Sequence, residues 1–226
     1  DLIQIQHYTA TQAGAAFLPF TAIMFGLSRW AGGLVTRYGS RLPLTVGPLV
    51  AAGGFALFAI APQDGSYWAA FFPAVVVMGL GMTISVAPLT TTVMNAVPES
   101  GSGLASGINN AVSRLAALLA VAVFGVVLVS IFNHSLDQQL AQLALRPDVR
   151  AQVDAARSQI ATTHNPNPKI QSAITDSFLR GYRAVIWIAT GLAALAGFTA
   201  LLLIESGTPS TAGLASTNCT TAPSSE

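Results

Sequence analysis

Apolar residues run in long stretches along this chain, and the polar positions gather between them. A helix crossing the hydrocarbon of a bilayer needs about 20 mostly apolar residues, and five segments reach that length. The first, 13–31, keeps its polar exceptions Ser28 and Arg29 at the far end, where a long cationic side chain can snorkel to the headgroups. The second, 42–61, is bounded by Arg41 and by the polar run Pro62-Gln63-Asp64-Gly65-Ser66. Tyr67 and Trp68 open the third, 67–94, as an interfacial aromatic pair, and Pro88 within it predicts a kink near Ser85. The fourth is 104–132, and the fifth, 184–204, is introduced by Tyr182 and Trp187.

The stretch 133–183 has a different pattern. Leu136, Leu140 and Leu143 recur at helical spacing, Arg146-Pro147-Asp148 interrupts them, and Val149, Val153, Ala156 and Ile160 resume. Two readings fit: short amphipathic helices lying on the membrane surface, or a solvated loop with nascent helices. Asn165-Pro166-Asn167-Pro168 predicts a turn, and the Ser/Thr/Ala/Pro/Gly-rich stretch 205–226 predicts a disordered tail.

Composition strengthens the membrane reading: 52% of the 226 residues are hydrophobic and 8% are charged. Soluble domains carry about 25% charged residues. A net charge of +1 offers no field for nucleic acid. Cys219 is the only cysteine, so an internal disulfide is excluded, and His7, His134 and His164 lack ligand spacing, so no metal site is expected. No nucleophile, base and orienting acid fall together, and no Walker-type loop is present, so neither an enzyme nor an ATP-driven pump is expected. No cofactor is expected either.

The polar residues inside the spans are the informative ones. In the fourth, Gly103, Gly107, Asn110, Arg114, Ala117, Val121 and Gly125 share one helical stripe, small or polar along its length, which suits close helix packing in a membrane. Arg114 falls about ten residues in, roughly 15 Å along the axis. Two placements relieve the cost of a charge at that depth: snorkelling, or facing protein or a water-filled cavity. Asn109, Asn110 and Arg114 are thus the candidates for a polar site within the bundle or a pathway through it. Asp64, Glu99 and Glu205 lie outside the spans, so the spans hold no carboxylate to pair with Arg114.

Charge leaves the orientation open, because Arg29, Arg37 and Arg41 crowd one side while Arg146, Arg150, Arg157, Lys169, Arg180 and Arg183 lie on the other. The loop Gly32-Gly33-Leu34-Val35-Thr36-Arg37-Tyr38-Gly39-Ser40-Arg41 adds a further signal. It resembles the Gly-x-Leu-x-Asp-Arg-x-Gly-Arg-Arg signature of the major facilitator superfamily, matching at Gly32, Leu34, Arg37, Gly39 and Arg41. Thr36 stands where the family has its gate-locking acid, and Ser40 replaces a basic residue.

Three further stretches are similar to the fourteen-span drug:proton antiporter branch: Gln4-x-x-x-Tyr8-x-x-x-Gln12-Ala13-Gly14 with Leu18-Pro19; Gly79-Leu80-Gly81-Met82 with Pro88-Leu89-Thr90, Val97-Pro98 and the run from Gly103 to Arg114; and Phe178-x-x-Gly181-Tyr182-Arg183. The resemblance implies an all-α major facilitator-type bundle, a carboxy-terminal portion with about five transmembrane helices. It implies an outer segment 1–12, four spans within 13–132, an outer loop 133–183, a last span 184–204 and a cytoplasmic tail.

The activity implied is proton-coupled efflux of drugs or other amphipathic compounds by alternating access. The implied setting is multi-pass in the plasma membrane, with small-molecule substrate, protons, lipid and a missing amino-terminal half as partners. Gly32, Leu34, Arg37, Gly39 and Arg41 are then gating-loop candidates, and Gly103, Gly107, Gly125 and Pro88 packing candidates. The rivals are a same-fold carrier of a metabolite, sugar or siderophore, and a non-transporting membrane scaffold subunit.

Overall fold

A computed structural model describes residues 9–62, 67–95, 97–142 and 167–204. All regular structure among them is helical. The predictions made for 1–8, 143–166 and the tail from 205 onward fall outside the described residues.

Helix α1, Ala10–Ala15, starts at a reciprocal cap in which the Gln12 amide donates to the Thr9 hydroxyl and the Thr9 amide donates to the Gln12 side chain. It ends at Ala16 and Phe17 because Pro19, lacking an amide hydrogen, cannot bond the Ala15 carbonyl as a continuous helix would require. Helix α2, Leu18–Tyr38, then runs on past the end expected at Ala31. Gly32 and Gly33 lie within it, so the turn is made by Gly39, with φ 74° and ψ 173°, conformational space that only glycine readily enters.

Helix α3 spans Arg41–Ile60 and α4 spans Tyr67–Ala70. Helix α5, Phe72–Asn95, follows α4 almost without interruption, since the Phe71 amide bonds the Tyr67 carbonyl and the Val75 amide bonds the Phe71 carbonyl. It passes through Pro88, which deprives the Ile84 carbonyl of its helical donor. Nearby hydroxyls turn back on the helix: Thr83 donates to the Gly79 carbonyl and Ser85 to that of Gly81, both at 2.7 Å. A 3-10 turn, Glu99–Gly101, leads into α6, Ser102–Gln142, and α7 spans Pro168–Leu203.

Four stretches are long and apolar enough to cross a membrane: Arg41–Ile60, Tyr67–Met94, Ser102–Gln142 and Pro168–Leu203. Helix α2, of 21 residues with Arg29 and Arg37 in it, is not among these four.

The bundle is organised around α3, which packs against α5 on one side and α7 on another; α2 lies on α5, and α6 on α7. Along the α3–α5 seam, Gly47, Ala51 and Gly54 meet Ser85, Gly81 and Met78. Helices in lipid gain no hydrophobic drive toward one another, so backbone approach at small residues must supply the attraction by close contact. A Cβ at Gly54 would lie 2.6 Å from the Met78 amide nitrogen, leaving no room for one.

Of the 133–183 region, 133–142 and 167–183 are described, and both parts belong to long helices. Helix α6 has 41 residues, about 60 Å at 1.5 Å per residue, roughly twice the hydrocarbon thickness. Its carboxy-terminal end and the amino-terminal end of α7 pair as helices beyond the apolar stretches. Phe132, Leu136, Leu140, Ile170, Ala173 and Ile174 form a buried cluster, and the Gln139 amide donates to Ser177 Oγ at 3.1 Å. Leu136 and Leu140 of the leucine spacing are thus buried against a second helix, while Leu143 lies outside the described residues. Asn167 caps α7 by accepting from the Lys169 amide, and Pro168 occupies its first turn.

Candidate functional site

The first candidate locus is the turn between α2 and α3. Gly39 reverses the chain immediately after α2, placing Arg41 at the first position of α3. Helix α7 ends beside it. The Arg41 guanidinium donates from Nε (3.1 Å) and Nη2 (2.7 Å) to the Leu201 carbonyl oxygen. That oxygen belongs to the last turn of α7, where carbonyls have no internal donor and carry the negative end of the helix dipole. A hydrogen bond from a charged donor to such an acceptor is worth about 1.5–3 kcal/mol.

One turn further, α3 and α7 touch backbone to backbone: a Cβ at Gly197 would sit 3.0 Å from the Thr45 carbonyl and 2.8 Å from Leu49 Cγ. Thr45 is buried, and its hydroxyl has no hydrogen-bond partner among the described residues. Arg37 is exposed and stacks its guanidinium 5.5 Å from the Tyr38 ring centroid, while Gly32 and Leu34 are half-buried in α2. A groove of about 250 Å³, lined in part by Tyr38, Ser40, Arg41, Thr45 and Leu201, opens here.

The second locus is the amino-terminal half of α6. Asn110 and Arg114 lie one turn apart and are exposed, Asn109 is half-buried, and every residue from 110 to 119 is left uncovered by this chain. Apolar neighbours are as bare as polar ones: Leu104 is 72% and Leu118 70% exposed. Gly103, Gly107 and Gly125 face open space, so within the described residues they approach no other helix. Arg114 makes no hydrogen bond or ion pair among the described residues. The two loci are not brought together. Pro88, the remaining packing candidate, is fully buried in α5.

The close contacts instead use Gly47, Gly54, Gly81, Gly181 and Gly197. The small-residue rhythm of Gly47, Ala51 and Gly54 was a readable signal for them. Which carbonyl Arg41 would take had none, since a backbone acceptor is chemically the same at every residue. Among the described residues no group of three His, Cys, Asp or Glu gathers to hold a metal.

A helical bundle with several membrane-length apolar helices defines a multi-pass membrane protein. Residues 2–121 match the Major Facilitator Superfamily, more than half of the chain, and the chain belongs to that family of transporters, which is not a family of enzymes. Among curated relatives, the multidrug resistance protein Stp of Mycobacterium tuberculosis is 27% identical over 210 residues, covering 86% of this chain and 38% of that protein. The lincomycin resistance protein of Streptomyces lincolnensis is 28% identical over 113 residues, 50% of this chain and 23% of that protein. A triacylglyceride transporter of Mycolicibacterium hassiacum is 28% identical over 170 residues, 71% of this chain and 30% of that protein. The matched region thus spans well under half the length of these relatives.

Proposed function

We propose that this chain is the carboxy-terminal part of an efflux transporter of the fourteen-span drug:proton antiporter branch, exporting amphipathic or cationic organic compounds across the plasma membrane in exchange for protons. The observation that carries the reading is the bare amino-terminal half of α6. A helix presenting Asn110 and Arg114 on a stripe of small residues, with every residue from 110 to 119 exposed, fits the surface that a second half would face across a central cavity. Alternating access then amounts to rocking of the two halves about a site near the midplane. The apolar spans 13–31, 42–61, 67–94, 104–132 and 184–204 hold no Asp or Glu, so the reading assigns the proton-carrying acids to the amino-terminal half.

The resistance functions in the names of two relatives support a drug cargo, and the triacylglyceride transporter supports a neutral-lipid cargo as the second reading. The test is to express the full-length gene in an efflux-deficient strain and follow drug susceptibility together with dye extrusion. Export that collapses with an uncoupler supports the proposal. Unaltered susceptibility with defective triacylglyceride export would favour the second reading, and no export of either class would overturn both.

A further inference from the structure

We infer that the α2–α3 turn is a clamp within this half of the transporter, in which Arg41 fastens the end of α7 to the start of α3 throughout the transport cycle. This rests on the two-half reading above. The loop resembles a gating signature, but Thr36 stands in place of its gate-locking acid. The partner that Arg41 has is on its own side: the Leu201 carbonyl, which takes two of its N–H groups and lies 160 residues away in the chain.

Three features favour a permanent fastening. The acceptor is a backbone carbonyl near the end of α7, so protonation cannot remove it. Gly197, one turn before Leu201, lets the α7 backbone reach the Thr45 carbonyl, so both ends of the contact are set by close packing and not by side-chain reach alone. Thr36 stands at the position of the signature's acid, and being uncharged it offers no carboxylate to compete for the guanidinium. Helices α3 and α7 pack along their length, so a rocking motion of the halves carries Arg41 and Leu201 together. Arg41 is therefore a positioning residue, fixing the angle at which α7 leaves the membrane.

The experiment is amide hydrogen exchange, read by mass spectrometry, of the last turn of α7 (199–204) in the full-length transporter in lipid nanodiscs. Wild type, Arg41→Ala and Arg41→Lys are compared with and without saturating tetraphenylphosphonium, a cationic amphiphile. Loss of a charged hydrogen bond predicts exchange about ten-fold faster in Arg41→Ala, by the same factor in both conditions, with partial rescue by lysine, which cannot fork onto one oxygen. Gly197→Ala, which pushes α7 from Thr45 and Leu49, should loosen the same turn by an independent route. Unchanged exchange in Arg41→Ala, or acceleration in one condition alone, would overturn the clamp. If wild-type exchange nowhere responds to tetraphenylphosphonium, the cationic-substrate reading fails, while acceleration in Arg41→Ala still decides the clamp.

Discussion

Gly81 of α5 lies so close to Ala51 of α3 that a Cβ on the glycine would overlap the Ala51 backbone. Neither helix can yield easily, because Gly54 against Met78 and Gly47 against Ser85 fix the same seam on either side. The contact is set by absent atoms, which is how apolar helices find each other where lipid is as good a solvent as leucine.

Gly81→Ala should therefore separate α3 from α5 and destabilise the bundle by about 1–3 kcal/mol, the usual cost of overpacking a filled interface. Thermal unfolding of the purified protein in detergent would read this as a lowered midpoint. Gly53→Ala is the control, since nothing lies within 4 Å of its added Cβ. A Gly81→Ala midpoint equal to wild type would mean that the two helices do not meet at this register.

Arg114→Ala should abolish or sharply reduce export by the full-length protein while leaving membrane insertion intact, because the chain itself gives Arg114 no packing to lose. The same logic makes Gly107 diagnostic. Alanine favours an isolated helix over glycine by about 0.8–1.0 kcal/mol, so Gly107→Ala should be harmless if α6 faces only lipid and damaging if a second half packs on its stripe. Drug-extrusion rates at matched expression check both, and wild-type export by Arg114→Ala would remove Arg114 from the pathway.

The α6–α7 extension outside the apolar stretches is held by ordinary hydrophobic burial. Leu136 is fully buried within it, so Leu136→Ala should cost about 2–5 kcal/mol locally. Limited proteolysis should cut this variant between 133 and 183 faster than wild type, with the apolar spans still protected. Equal cleavage rates would mean that the paired helices do not depend on that cluster.

What could be read from the sequence follows from how each signal is encoded. Membrane-length helices announce themselves by runs of apolar residues, so α3, α5 and the apolar cores of α6 and α7 were legible. Helix ends were less so. Gly32 and Gly33 looked like terminators, but a glycine stops a helix only where the backbone turns to positive φ, and that happens at Gly39. The α6–α7 pairing was hidden because an amphipathic stripe is the same pattern whether it lies on a membrane or on another helix. The glycines at Gly103, Gly107 and Gly125 read as packing residues, yet the surfaces they would meet are not in the described chain.

Gly39 offers the sharpest test of how turn and clamp are joined. With φ 74° and ψ 173° it lies in a region closed to side-chain-bearing residues, including asparagine, which tolerates ordinary left-handed helix but not this extended ψ. Gly39→Ala and Gly39→Asn should each cost about 1–3 kcal/mol. Part of that cost should appear as a displaced Arg41, since Gly39 and Ser40 alone connect the end of α2 to Arg41. In a double-mutant cycle with Arg41→Ala, the two losses should then be less than additive, because a clamp already misplaced by the turn has little left to lose. Thermal midpoints of the four variants measure the coupling, and strict additivity would show that the turn and the arginine act independently.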